Sequence, residues 1–142
     1  MRALTLWQPW AWAVFHGKNI ESRGWVPTDD QLKQGDLLAI HAAARKPTKE
    51  HIETLRLQHG LSFPGEQAFG AVIGVVRYCG LLSPANVTCN WCEAHMFGWV
   101  LSDHQEISWP IKCRGHQGLW KLDAEDERWV REQISLREDT CA

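Results

Sequence analysis

The chain has 142 residues, of which 44% are hydrophobic and 23% charged. These values exclude a mainly disordered protein and suit one core, so we expect residues 1–142 to form a single domain. The formal charge is −2, but residues 123–142 hold three Lys/Arg against seven Asp/Glu, which predicts an acidic terminal segment. The remaining residues hold twelve against ten, far from the basicity of a protein that coats duplex DNA.

The N-terminal residues show no apolar signal-peptide region, and no apolar run is long enough to cross a bilayer. We therefore expect a cytoplasmic protein with no membrane partner. The five cysteines are odd in number and unevenly spaced, which favours reduced thiols over a disulfide framework.

The first predicted elements are a strand, a helix and a second strand. Residues 3–7 alternate small or polar with large apolar side chains, as strands do. Pro9 suits the first turn of a helix and Gly17 its C-terminal end. Residues 19–25 alternate again, which places Glu21 and Arg23 on one face of a strand.

The middle of the chain has three clear elements. Residues 36–43 form a buried strand that ends near a histidine, and residues 48–58 form an amphipathic helix stopped by Gly60. Residues 70–78 are rich in β-branched side chains, which makes them the clearest core strand.

The last part of the chain is predicted to hold three short strands and one helix. Turn-like segments separate the strands, which span residues 97–101, 107–113 and 118–122. Asp123 is the N-cap of a charged helix over residues 124–136. Six or seven short strands with few helices predict an α+β fold, a small β-barrel flanked by helices. A Rossmann sheet is disfavoured because its Gly-rich fingerprint is missing.

Several segments resemble the ASCH domain family, over most of the chain from Leu4 to Leu122. The most specific is a Gln-Pro-Trp followed by a Lys-x-x-Glu-x-Arg. The matching segments are Leu4-Thr-Leu-Trp-Gln-Pro-Trp-Ala, Gly17-Lys-Asn-Ile-Glu-Ser-Arg-Gly-Trp, Ile40-His-Ala, Gly70-Ala-Val-Ile-Gly and Gly115-His-Gln-Gly-Leu-Trp.

This resemblance implies a PUA-like barrel with a cleft between the barrel and the first helix. ASCH domains are associated with binding nucleic acid or nucleotides, and a few bacterial relatives deacylate N4-acylated cytidine or cut RNA. In the deacylase group the lysine of the motif is catalytic and corresponds to Lys18. That group has a threonine where this chain has Glu21, so Lys18 and Glu21 are the catalytic candidates if the protein is an enzyme.

The residues themselves indicate a binding site around Lys18, Glu21 and Arg23. A lysine beside a carboxylate in a desolvated cleft serves as a phosphate anchor or, with a lowered pKa, as a base. Glu21 can accept hydrogen bonds from a nucleobase, and Arg23 can grip phosphate or orient Glu21. The alternative is a solvated salt-bridge cluster of little energetic value.

Tryptophans flank this charged group, and indole rings stack well on nucleobases. Trp7, Trp10 and Trp25 are the candidates for stacking, while Trp12 points to another face of its helix. We expect most of the nine tryptophans to lie in the core, because each indole buries a large apolar area.

Further candidates lie elsewhere in the matching segments. Gln8 belongs to the first motif, and His41 either lines the cleft or is a structural histidine. Arg114 and Gln117 flank a glycine loop that either approaches a ligand or is an ordinary turn.

Cys89, Cys92 and His95 offer three ligands at zinc-like spacing, but one CxxC without a second pair is weak evidence. We therefore expect no metal and no cofactor, with zinc as the minor alternative.

The leading hypothesis is a module that binds a nucleotide or single-stranded nucleic acid, RNA being favoured. The alternative is a hydrolase of an acylated nucleoside or of RNA in the same cleft. A third hypothesis is an adaptor that uses exposed tryptophans as anchors.

Overall fold

The computed structural model describes residues 1–86, 89–135 and Cys141. It contains six strands, three α-helices and a short 3₁₀ helix at Pro84–Asn86. The strands are β1 (Arg2–Leu6), β2 (Ile20–Arg23), β3 (Leu37–Ala42), β4 (Ala71–Leu82), β5 (Phe97–Lys112) and β6 (Leu119–Lys121). The helices are α1 (Trp10–Val14), α2 (Lys49–His59) and α3 (Ala124–Gln133).

The strands form one sheet in the order β2-β5-β4-β3-β1-β6, which curls into a half-barrel. Strands β1 and β3 are parallel, with Leu4 opposite Ile40, and the other pairs are antiparallel. The α+β fold predicted from the sequence is confirmed. β2 lies at one edge of the sheet.

Two apolar layers hold the sheet. Leu4, Ile40, Val76 and Trp99 belong to the layer that also packs against α1, and Trp99 is completely buried. The second layer includes Val130 of α3, which packs against the opposite face of the sheet. The alternation of side chains along each strand produces these two layers.

Helix α2 begins and ends at recognisable caps. The side chain of Thr48 accepts a hydrogen bond from the amide of His51 at the start of α2. Gly60 ends that helix in the left-handed conformation, as predicted. The terminal helix α3 starts after Asp123 and ends at Gln133; residue 136 of the prediction lies outside the described residues. No helix in the described part of the chain is both long enough and apolar enough to span a membrane.

One strand assignment is wrong. The sequence predicted a turn at Ser-Asp-His between strands at 97–101 and 107–113, but both belong to the continuous 16-residue β5. Asp103 has a positive φ of 48°, and the pairing between β4 and β5 shifts register at three places. Bulges of this kind bend a long strand without ending it, so turn-like residues do not mark a strand end here.

The expectation that most tryptophans are core residues is also wrong. Only three of the nine are buried, namely Trp12, Trp99 and Trp120. Trp109 is 76% exposed, and the remaining tryptophans are exposed or partly exposed. A ring-rich surface therefore remains available for contacts.

The expectation of reduced thiols is wrong for four of the five cysteines. Disulfides join Cys79 to Cys141 and Cys89 to Cys92, and Cys113 is free. The first pair is 62 residues apart, and such distant pairings are not readable from spacing. The second disulfide occupies both sulfurs that the zinc alternative requires as thiolate ligands.

Candidate functional site

A cleft of about 640 Å³ opens beside the edge strand β2. One side is formed by the end of β1, the start of α1 and β2, and the other by α2 and the segment from Asn90 to Met96. The strands β1 and β2 and Trp10 of α1 line this cleft, and α2 and the 90–96 segment, which the expectation did not include, line it as well. We define the opposite wall as the residues His51, Thr54, Gln58, His59, Trp91 and Glu93.

Lys18, Glu21 and Arg23 form the charged floor of this cleft. The ammonium of Lys18 contacts Oε2 of Glu21, and both side chains are buried. Nε of Arg23 lies 3.3 Å from Oε1 of Glu21, an ion pair that lacks hydrogen-bond geometry. Two cations thus share one carboxylate, so the floor keeps an excess positive charge that suits an anionic ligand.

Local structure brings these three groups together. Gly17 adopts a φ of 123°, and the amide of Lys18 then donates to the carbonyl of Ala13 at 2.9 Å, which turns the chain from α1 into β2. Glu21 and Arg23 are two residues apart on β2 and project to the same side. Arg23 also donates to the carbonyl of Thr5 at 3.4 Å, which links β2 to β1.

Three of the predicted tryptophans line the cleft. Trp7 is 49% and Trp25 is 36% exposed, and Trp10 is partly buried beside His51 with ring centroids 5.9 Å apart. Helix geometry separated Trp12 from Trp10 without deciding which of them is a core residue, and the structure places Trp12 in the core. The rim thus offers flat apolar rings next to the charged floor.

Trp91 and His59 stack face to face across the opposite wall. Their ring centroids are 3.5 Å apart and their planes differ by 3°. Ser22 holds Trp91 in place, since its hydroxyl donates to the Trp91 carbonyl at 3.3 Å and accepts from the Glu93 amide at 3.0 Å. These bonds attach the wall directly to the strand that carries the floor.

His59 lines the same cleft as Lys18 and is affected by its charge. Burial lowers its pKa below the usual 6.5, and the positive charge of Lys18 lowers that pKa further. The imidazole is therefore neutral at pH 7 and keeps one nitrogen free to accept a proton.

The other four predicted residues are not brought to the cleft. Gln8 is buried, and its amide accepts from the Trp12 amide and donates to the Ala68 carbonyl. Arg114 and Gln117 are exposed in the loop before β6 and do not line the cleft. His41 is buried in a hydrogen-bond network of its own.

This network gives His41 a structural role. Its Nε2 donates to the Cys113 carbonyl at 2.8 Å, so Nδ1 accepts from the Thr5 hydroxyl at 3.2 Å. Thr5 in turn accepts from Trp120 Nε1 at 3.1 Å. A Cβ on Gly115 would lie 2.7 Å from the His41 ring, so the glycine loop closes over this histidine rather than over the cleft. Burial lowers the His41 pKa, against the effect of the Cys113 hydrogen bond.

The opposite wall contains the residues that sequence reasoning missed. On α2, His51, Thr54 and Gln58 are spaced three and four apart, which places them on one helical face. This polar stripe was the available signal, but a polar stripe on an amphipathic helix is usually solvated. Trp91 lies in an irregular segment, so no periodicity indicates its position.

No group of three or more His, Cys, Asp or Glu side chains in residues 1–86, 89–135 and Cys141 is arranged to hold a metal ion. His95 has a positive φ of 66° and follows the Cys89–Cys92 disulfide. The ionisable and aromatic groups that line the cleft are an amine, two carboxylates, a guanidinium, two imidazoles and indole rings.

No protein-family model matches the sequence, and no curated protein matches it either. The structure is similar to crystal structures of ZmASCH, an ASCH protein from Zymomonas mobilis. A single-residue mutant of that protein superposes with a TM-score of 0.60 at 18% identity, covering 94% of this chain and 98% of the other. ZmASCH itself gives a TM-score of 0.56 at 17% identity, covering 94% and 95%.

This likeness over nearly the whole chain establishes the fold. The half-barrel with its three helices shares the fold of this ASCH protein, and the resemblance that the motifs indicated is confirmed at the level of the fold. At 17–18% identity the comparison defines architecture, and the function has to be inferred from the cleft itself.

Proposed function

We propose that the cleft binds a nucleotide unit of single-stranded nucleic acid, RNA in preference to DNA. The observation that carries this proposal is the convergence of the buried Lys18 and Glu21 with the partly exposed Arg23 on one floor beneath a ring-lined rim. Two cations suit a phosphate, and the carboxylate suits the donor edge of a base or a sugar hydroxyl.

The rings supply the second part of the proposed recognition. Trp7, Trp10 and Trp25 edge the floor, and the stacked His59 and Trp91 face it. A base that stacks on such a ring gains about 1–3 kcal/mol. The His59–Trp91 separation of 3.5 Å leaves no room between them, so a base would pack against an outer face of this pair.

The preference for RNA rests on the polar groups of the opposite wall. Thr54, Gln58 and Glu93 line the cleft with hydrogen-bond acceptors. A ribose 2′-hydroxyl can donate to such groups, and a deoxyribose cannot.

Titration of short RNA and DNA oligomers into wild type and Lys18→Met tests the proposal. The variant keeps most of the side-chain volume and removes the charge, so we expect RNA affinity to fall about 10- to 100-fold, as for a lost charged hydrogen bond. Lys112→Ala, which removes an exposed lysine outside the cleft, is the control and should bind as wild type does. Equal affinity of wild type and Lys18→Met would refute the proposal.

The second candidate function is hydrolysis of an acylated nucleoside or of RNA in the same cleft. The observation that favours it is that the imidazole of His59 and the Lys18–Glu21 pair line one cleft, since a neutral imidazole can accept a proton. Incubation with N4-acetylcytidine and with RNA, followed by chromatography, tests it. Turnover that disappears in Lys18→Met and persists in Lys112→Ala would establish catalysis, and no turnover of either substrate would reject it.

A further inference from the structure

The guanidinium of Arg45 lies over the indole ring of Trp7 at the rim of the cleft. The guanidinium of Arg45 lies 4.0 Å from the centroid of the Trp7 indole, well within the range of a cation–π contact. Trp7 itself lines the cleft and is half exposed, and its ring is 6.3 Å from that of His51 on the opposite wall. The Arg45 guanidinium is therefore held at the rim although Arg45 is not a lining residue of the cleft.

The segment that holds Arg45 is positively charged. Residues 45–49, which run from the loop after β3 to the first residue of α2, contain Arg45, Lys46 and Lys49 and no acidic residue. All three side chains are exposed, and no carboxylate in residues 1–86, 89–135 and Cys141 forms an ion pair with Arg45. A guanidinium that is fixed on a ring and lacks a carboxylate partner is suited to take a phosphate oxygen on its outer edge.

We propose that Arg45 and Trp7 form a second subsite, which binds the nucleotide adjacent to the one in the cleft. This inference rests on the proposed function and deepens it, because it names the residues that contact the nucleotide next to the one in the cleft. The first nucleotide lies over the charged floor, and the chain then leaves the cleft past Trp7. The Arg45 guanidinium holds the phosphate that joins the two nucleotides.

The test compares one nucleotide with several. Calorimetric titrations would use the four nucleoside 5′-monophosphates and the matching ribonucleotide homopentamers. For wild type we expect a pentamer to bind at least about tenfold more tightly than its monophosphate, given the gain from an additional charged hydrogen bond to phosphate. In Arg45→Ala we expect most of this advantage to disappear, while monophosphate affinity stays within about twofold.

A matched control exists on the far side of the molecule. Arg128 lies 5.2 Å from the ring centroid of Trp129 on α3, so Arg128→Ala removes an equally exposed arginine from another arginine–tryptophan pair. This variant should retain the full pentamer advantage. In Arg45→Ala the slope of log affinity against log salt for the pentamer should also fall by about 0.7, the value for one lost phosphate contact on a single strand.

The outcomes of these titrations distinguish failure of the second subsite from failure of the proposed function. If pentamers bind no more tightly than monophosphates, or if Arg45→Ala weakens both equally, the second subsite is wrong and the cleft proposal stands. If Arg45→Ala leaves both affinities unchanged, the subsite is likewise refuted. If wild type binds neither class while its thermal unfolding is cooperative, the proposed function fails together with the subsite.

Discussion

The floor and the opposite wall of the cleft are built in different ways. The floor comes from residues 18–23, a single turn and strand in which Lys18 contacts Glu21 three residues on. The wall comes from α2 and from residues 90–96, which are more than 25 residues from each other along the chain and reach the cleft through tertiary packing. A short motif can therefore specify the charge of a site while its shape depends on distant segments.

The two sides also differ in what stabilises them. The floor is an ion-paired cluster that depends on burial, whereas the wall depends on a ring stack and on two hydrogen bonds to Ser22. Substitutions that break the floor and substitutions that break the opposite wall should therefore lower the free energy of unfolding by different amounts. The contact between the two sides can also be measured.

Glu21→Ala should have the largest effect. The substitution leaves the buried Lys18 ammonium and the Arg23 guanidinium without their shared carboxylate, and breaking a buried pair in this way costs about 3–5 kcal/mol in the free energy of unfolding. Urea denaturation measures this cost.

The chain contains a matched control for this substitution. Glu53 and Arg56 form another ion pair three residues apart, but both side chains are exposed on α2. Glu53→Ala should leave the urea midpoint essentially unchanged, because exposed pairs contribute little. If Glu21→Ala changed the urea midpoint as little as Glu53→Ala does, burial would not be the reason that the ion pairs of the floor stabilise the fold.

The same contrast explains how much of the molecule could be predicted from the sequence. Alternation along residues 19–25 placed Glu21 and Arg23 on one face, and the helix geometry separated Trp10 from Trp12, because both patterns are local. His59 and Trp91 could not be paired in advance, since their stacking depends on how α2 packs near the segment after β4.

Some residues of the motif segments line the cleft, and others have a structural role. Lys18 and Glu21 line the cleft, whereas His41 and Gly115 pack against each other outside it. A histidine in a motif segment fits a ligand contact and a structural hydrogen bond equally well, and the Cys113 carbonyl, 72 residues away, decides the matter. Similarly, Asp103 looked like a turn residue, but pairing with β4 keeps the strand continuous.

Ser22→Ala should release the wall from the floor at a moderate cost. Both bonds of the hydroxyl, to the Trp91 carbonyl and from the Glu93 amide, are lost, so we expect the unfolding free energy to fall by about 1 kcal/mol. Hydrogen exchange of the Glu93 amide should accelerate several-fold, and RNA affinity should fall because the wall is no longer held. Ser108→Ala, at an exposed position of β5, is the control. Unchanged exchange at Glu93 would contradict this role of Ser22.

The smallest expected effect is a change in the pKa of His59, which reports on the floor and on the opposite wall at once. The pKa of His59 lies below 6.5 because of burial and because of the Lys18 charge, so Lys18→Met should raise it towards 6.5. The unfolded chain binds the proton more readily than the folded one in the interval between the two pKa values. The His59 contribution to stability is therefore complete above pH 6.5 and is lost as the pH falls through the folded pKa.

Proton NMR titration of the His59 ring in wild type and Lys18→Met measures this coupling directly. In Lys18→Met, unfolding free energy should decline less between pH 7 and pH 5, since protonation of His59 no longer meets a neighbouring cation. Lys112→Ala should titrate as wild type does. An unchanged His59 pKa in Lys18→Met would mean that the wall and the floor do not interact electrostatically, and His59 would then lose its claim to act together with Lys18 on a bound ligand.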